Sequence, residues 1–99
     1  MEGMPDLADV TADDFEPLLD TDFEADGPDA RVRLRLTDVQ RLRERPGYRR
    51  PFSLLFEGPL EPCLPAQIVR LDHATGEIDL FLVPIVGPAD RMTYEATFT

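Results

Sequence analysis

Alternation of apolar and polar residues is the dominant pattern along the chain, and it predicts β-strands. The pattern is clearest in RVRLRL, residues 31–36, where aliphatic side chains alternate with arginines. Successive side chains of a strand point to opposite faces, so this segment would place its aliphatic residues in a core and its arginines in water. Similar alternation predicts strands in four further segments: 52–57, 67–72, 77–83 and 92–98.

Turn-forming segments separate these strands, as is typical of an antiparallel arrangement. DHATGE, residues 72–77, predicts a hairpin that closes through a left-handed conformation at Gly76. Phe81 and Val83 make both faces of their strand apolar, so we expect that strand to be central in the sheet. The fold class predicted is mainly β: a small antiparallel barrel or sandwich of five to six strands, with one or two short helices.

Two short segments carry helix signals. Thr11, with Asp14 three residues later, resembles a helix N-cap with an acid in the first turn. Apolar residues at helical spacing follow, and Pro17 limits this helix to about two turns. Thr37 and Gln40 form a capping-box pattern, which predicts a second short helix or a turn-rich connection.

Charge is unevenly distributed along a chain whose net charge is −10. Ninety-nine residues predict a single domain, in which residues 1–10 would form a loosely ordered acidic lead-in. Residues 1–29 hold eleven acids and no base, whereas residues 30–50 hold eight arginines and two acids. The chain therefore carries a counter-charge beside its basic block.

The arginine block does not match a nucleic-acid surface. Such a surface combines basic residues with stacking aromatic residues, and the predicted outward face of Arg31, Arg33 and Arg35 has no interleaved aromatic residue. The acidic remainder of the chain would also repel phosphate. We expect these arginines to lie opposite acids on neighbouring strands, with a protein or other anionic partner as the alternative. The expected acids are Glu77, Asp79 and Glu95.

The acidic first third has two possible roles. Acid-rich segments usually stay solvated, but this one could also contact a basic partner. The acids that would make that contact are Asp13, Asp14, Asp20 and Asp22. DTDFEADGPD resembles a calcium-binding loop superficially, but Arg31 stands at its twelfth position and glycine at its eighth.

Residues for catalysis or metal binding are sparse. Cys63 is the single cysteine and His73 the single histidine, so the sequence has no zinc-binding spacing and no internal disulfide. We expect a buried apolar thiol at Cys63 and a solvent-facing loop residue at His73. The sequence predicts no catalytic residue, metal or cofactor. With no run of ~18 apolar residues and no secretory signal, it also predicts no membrane partner and a cytoplasmic location at synthesis.

The second half of the chain contains a recognisable series of segments: PFSLLF, GP, RLDH, LFLVP and YEA. In these it resembles a family of small bacterial proteins grouped as a domain of unknown function, with the pattern PFSLLFxGP, YRLEHxxLGxxxLFLVPxG and YEAxF. The likeness is strong over 50–99 and looser over TADDFEPLLDTDFE, and Ala66 and Val69 depart from the pattern. Genes of that family often lie beside genes for phage-tail-collar-like, microcystin-dependent-type fibre proteins. The resemblance therefore implies an accessory role in a tail-like assembly and no catalytic residues.

Three functional hypotheses follow from the sequence. The first is a non-enzymatic accessory, assembly or interaction protein, with a tail-collar-like fibre protein as its partner. Its candidate contacts are Arg31, Arg33, Arg35, the acidic N-terminal segment and any exposed sheet edge. The alternative is a small acidic inhibitor or immunity-type protein that binds a basic site through the four aspartates at positions 13, 14, 20 and 22. An enzyme with a cryptic site near His73 is a third hypothesis.

Overall fold

Six antiparallel strands close into a barrel in a computed structural model, which describes residues 10–27, 31–43, 51–61 and 63–98. A short helix precedes the barrel, formed by α1 (Ala12–Phe15) and a 3₁₀ turn (Glu16–Leu18). The strands are β1 (Asp22–Asp26), β2 (Arg31–Arg41), β3 (Phe52–Gly58), β4 (Gln67–His73), β5 (Gly76–Ile85) and β6 (Met92–Phe98). The mainly β prediction is confirmed, and a barrel is the form it takes.

The strand order around the barrel is β1-β2-β3-β6-β5-β4, and β4 closes the ring against β1. Strands β4, β1, β2 and β3 therefore lie side by side in a Greek-key order, in which the fourth strand returns by a longer connection to the first. The predicted β4–β5 hairpin is confirmed: His73 pairs with Gly76, and Gly76 has a φ of 144°. Glycine tolerates this backbone conformation without a steric penalty.

The alternating pattern places the core inside the barrel. Inward side chains of all six strands are buried, and the outward arginines of β2 are exposed, as the sequence predicts. The buried apolar residues of the strands are Phe23, Ala25, Val32, Leu34, Leu36, Phe52, Leu54, Phe56, Val69, Leu71, Ile78, Leu80, Leu82, Tyr94, Ala96 and Phe98.

The N-terminal helix closes one end of the barrel. Its first turn is held by Asp14, whose carboxylate accepts the Thr11 backbone N–H at 2.8 Å. Phe15 is fully buried, and its ring centroid lies 6.0 Å from that of Phe52 and 5.9 Å from that of Phe98. The predicted helix is confirmed, and its function in the fold is to insert one aromatic ring between β3 and β6.

The connection between β3 and β4 closes the other end. Leu64 is fully buried, and its backbone N–H donates to the Tyr94 Oη at 2.9 Å. Burial raises the pKa of Tyr94, and the hydrogen bond from Leu64 opposes that effect only in part. At the same end, a Cβ on Gly58 would lie 2.5 Å from Leu34 Cδ2, so the core leaves no room for a side chain there.

The second helix predicted near Thr37 and Gln40 is wrong, because this segment continues β2. The ladder to β3 changes register between Leu36 and Asp38, which is the signature of a β-bulge. After the bulge, Val39 pairs with Leu54 and packs against the core. Pairing with a distant strand therefore overrides the local capping-box pattern.

Two further expectations concern β5 and the acidic lead-in. β5 is central as predicted, since it pairs with β4 and with β6, although Phe81 on its outer side is 57% exposed. Of the acidic lead-in predicted at 1–10, residues 1–9 lie outside the described residues, and Val10 is buried in the core.

Candidate functional site

One outer face of the barrel, formed by β1 and the first half of β2, carries opposite charges in register. Asp22, Glu24 and Asp26 pair with Arg35, Arg33 and Arg31, respectively, because both strands alternate with a period of two. The corresponding nitrogen–oxygen distances are 3.4, 3.1 and 3.1 Å. Arg31 also contacts Asp72 of β4. We call this surface the ion-paired face.

The expected self-pairing of the arginines is confirmed, but the expected partners are wrong. Glu77 and Asp79 pair with Arg70, at 3.5 and 3.1 Å, and Glu95 lies on the far side of the barrel. The true partners come from the acidic segment DFEAD, which forms β1. A register between two strands depends on tertiary folding, so the sequence shows that charges are complementary without showing which acid meets which arginine.

The four candidate acidic contacts are mostly engaged within the chain. Asp13 contacts Arg41, which also contacts Glu16, and Asp14 accepts the N–H that begins the helix. Asp22 pairs with Arg35 on the ion-paired face. Asp20 is exposed at a positive φ of 65°, and its side chain has no hydrogen bond or ion pair with any described residue. Three of these four acids therefore already have partners within the chain.

The described part of the chain contains no group of three or more His, Cys, Asp or Glu residues that could hold a metal ion. Within the calcium-like segment, Asp22–Asp26 forms β1, and the acids of this strand point outward to arginines. Cys63 is exposed, so its predicted burial is wrong: the proline-rich connection turns Leu64 inward instead. No helix in the ranges given above is long and apolar enough to cross a membrane.

His73 is half-buried at the end of β4, which corrects the prediction of a solvent-facing loop residue. Its ring lies 4.6 Å from that of Phe23, centroid to centroid. The Thr21 hydroxyl donates to the Leu18 carbonyl at 2.6 Å, so it accepts from His73 Nε2–H at 2.9 Å. The Thr75 backbone N–H donates to Nδ1 at 3.1 Å. These contacts specify the neutral Nε2–H tautomer and explain His73 as a structural residue.

A second outer face differs from the first because apolar side chains lie exposed on it. Ile68 of β4 is 71% exposed and is the direct cross-strand partner of Phe81 of β5. Val83 lies two residues beyond Phe81 on the same side and is half-buried. We call Ile68, Phe81, Val83 and Leu55 the apolar face. Alternation in residues 67–72 indicates that Ile68 points away from the core, but the outward exposure of Phe81 requires the folded sheet.

Glu95 lies in the middle of the apolar face. It pairs with Val83 of β5 on one side and with Leu55 of β3 on the other. Glu95 is half-buried, and its carboxylate has no hydrogen bond or ion pair with any described residue. It therefore contrasts with the carboxylates of the ion-paired face, each of which meets an arginine.

Comparison with protein families gives a match that covers most of the chain. A family model described as Domain of unknown function (DUF6916) matches residues 10–98. The chain belongs to the DUF6916 family. This confirms the resemblance to a small family of unknown function that the segments of the second half indicate. Neither the curated proteins nor the solved structures include a match to the chain.

The DUF6916 match covers both outer faces and the helix that closes the barrel. Because the function of the family is unknown, membership carries no substrate, ligand or catalytic residue over to this chain. The contrast between the ion-paired face and the apolar face is the physical basis for a functional proposal.

Proposed function

We propose that this protein is a non-enzymatic interaction module that binds another protein through the apolar face. The observation that carries the proposal is the adjacent exposure of Ile68 and Phe81, at 71% and 57%. Contiguous exposed apolar residues on a small domain mark protein-interaction surfaces, where aromatic side chains are enriched. Covering this pair would remove apolar surface from water and favour association.

The ion-paired face is a poorer binding surface than the apolar face, and this difference supports the proposal. A partner that bound Arg31, Arg33 and Arg35 would have to compete with the three acids of β1 that already pair with them. Such a partner would replace existing interactions and gain little net energy. The three arginines are therefore poorer candidate contacts than the sequence suggests.

The proposed partner is a phage-tail-collar-like fibre protein. Support for this class comes from the sequence resemblance, which implies an accessory role in a tail-like assembly. A compact barrel with one uncovered apolar face is compatible with docking on a larger assembly.

The alternative of an acidic inhibitor or immunity-type protein is supported by the net charge of −10. Against it, Asp13, Asp14 and Asp22 already form contacts within the chain. If the alternative holds, replacing these three acids and Asp20 by asparagine abolishes binding, and added salt weakens binding steeply.

Site-specific cross-linking tests the proposed function. A photoreactive phenylalanine analogue replaces Phe81 in the chain expressed in its own host, and a matched variant carries it at Arg33 of the ion-paired face. We expect the variant at position 81 alone to form a discrete cross-link, which mass spectrometry identifies as a fibre-type protein. Absence of a cross-link at position 81, or equal cross-linking at both positions, contradicts the proposed function.

A further inference from the structure

The apolar face has a specific chemical requirement of its partner. We propose that it takes a basic segment of another protein, in which an apolar side chain covers Ile68 and Phe81 while a lysine or arginine meets Glu95. This inference rests on the proposed function and names the chemistry of the partner. It favours a basic segment of another protein over a symmetric pairing of two copies of this chain.

The strand register places the two parts of this site next to each other. Phe81 and Val83 share one side of β5, and Val83 pairs directly with Glu95 of β6. Directly opposed residues on neighbouring strands have Cβ atoms about 5 Å apart, and diagonal neighbours about 7–8 Å. Phe81 and Glu95 are diagonal neighbours in this sense.

The same spacing occurs within an extended peptide. Residues two apart in a strand share one side and lie about 6.8 Å apart. An extended segment with an apolar residue and a basic residue separated by one position can therefore place the first on Phe81 and the second at Glu95. The predicted partner sequence is apolar-x-basic.

The unpaired carboxylate of Glu95 is the reason that we expect a basic partner. Glu95 lies half-buried between Leu55 and Val83, without an ion pair among the described residues. A purely apolar partner would cover this carboxylate and leave it charged, unpaired and desolvated, which is unfavourable. A cation on the partner removes that penalty and provides an ion pair shielded from water.

Asp38, beside Leu55, accepts a hydrogen bond from the Gln40 side chain at 2.9 Å, and the other described strand carboxylates apart from Glu95 already pair with an arginine. Glu24 and Asp79, for example, each lie 3.1 Å from an arginine Nε of the same chain. In a symmetric dimer formed through this face, two chains of net charge −10 would bring one Glu95 towards another and repel each other. Charge complementarity therefore favours a basic protein segment over self-association.

Peptide titration tests the inference. Three synthetic seven-residue peptides share one phenylalanine in a threonine background and carry lysine, glutamine or glutamate two positions after it. Each is titrated into the ¹⁵N-labelled full-length protein, and amide chemical shifts are followed. We expect the lysine peptide to shift the amides of Phe81, Val83 and Glu95 and to bind about fivefold more tightly than the glutamine peptide, as one ion pair with a half-buried carboxylate allows.

Two variants distinguish a specific contact with Glu95 from a general effect of the negative charge of the chain. Glu95→Gln removes the advantage of the lysine peptide over the glutamine peptide. Glu77→Gln, a matched loss of one carboxylate next to Arg70, leaves that advantage unchanged. Equal binding of all three peptides, shifts confined to other faces, or an unchanged preference in Glu95→Gln overturns the inference. The cross-link at position 81 is a separate readout, so a partner captured there that lacks the apolar-x-basic segment overturns this inference and leaves the proposed function standing.

Discussion

Replacing Tyr94 by phenylalanine isolates one buried hydrogen bond that closes the barrel. Tyr94 and Leu64 are both fully buried, and the Leu64 N–H donates to the Tyr94 Oη at 2.9 Å. Tyr94→Phe keeps the ring in the core and deprives the Leu64 amide of its acceptor. A buried amide without a partner costs about 1–3 kcal/mol, so we expect the free energy of unfolding to fall by about 2 kcal/mol at pH 7. For a domain of this size, that corresponds to a melting temperature lower by about 8–16 °C.

The pH dependence provides an independent check of the same side chain. Burial raises the pKa of Tyr94 in the folded state, whereas the unfolded value is about 10. Above pH 10, the unfolded state loses the phenol proton first, so deprotonation favours unfolding. The stability contributed by neutral Tyr94 is therefore complete below pH 10 and declines as pH rises towards the folded pKa, by at most about 1.4 kcal/mol per pH unit. Tyr94→Phe lacks this decline.

Urea unfolding followed by circular dichroism, at pH 7 and at half-unit steps from pH 9 to 11, measures both effects. The difference in unfolding free energy between wild type and Tyr94→Phe should be constant up to about pH 9.5 and shrink above it. Amide hydrogen exchange at Leu64 should also become faster in the variant. Equal stability of the two proteins at pH 7, or a difference that stays constant through pH 11, would refute the assignment of this hydrogen bond.

Three further predictions address the ends and the wall of the barrel. Phe15→Ala should lower the free energy of unfolding by about 3–5 kcal/mol in urea unfolding, because it leaves a cavity at the closed end; a loss below 1 kcal/mol would show that the helix does not seal the core. Gly58→Ala should cost about 1–3 kcal/mol in thermal unfolding, since the new Cβ would lie 2.5 Å from Leu34 Cδ2, whereas the double variant with Leu34→Ala should lose less than the two single effects combined. Long-range ¹H–¹⁵N spectra at neutral pH should show His73 as the Nε2–H tautomer, with Thr75 donating to Nδ1; a proton on Nδ1 instead would contradict the hydrogen-bond directions.

The sequence predicts the strands of this protein well because their signal is local. A period of two in RVRLRL is enough to place Val32 in the core and Arg33 in water, whatever the neighbouring strands are. The hairpin at Gly76 is equally local, since glycine supplies a conformation that other residues adopt at a cost. The N-terminal helix also follows from its cap residue and the spacing of its apolar residues.

Predictions that needed the position of a distant strand were less successful. Thr37 and Gln40 carry a helix-capping pattern, yet the ladder to β3 extends β2 through them with a bulge. A helix of one turn gains little by itself, whereas several ladder hydrogen bonds and the burial of Val39 are available in the sheet. Local preference therefore yields to tertiary pairing at this position.

The features of the candidate site also divide into local ones, which the sequence predicts, and ones that depend on distant strands. The sequence by itself determined that an arginine block and acids of opposite charge occur within one chain and that aliphatic residues line a core. Tertiary structure decided that β1 supplies the acids for the arginines, that Phe81 lies exposed beside Ile68, and that Glu95 has no cation among the described residues. The physical reason is that alternation fixes which side of a strand a residue occupies, whereas strand order and register decide which residues become neighbours across the barrel wall.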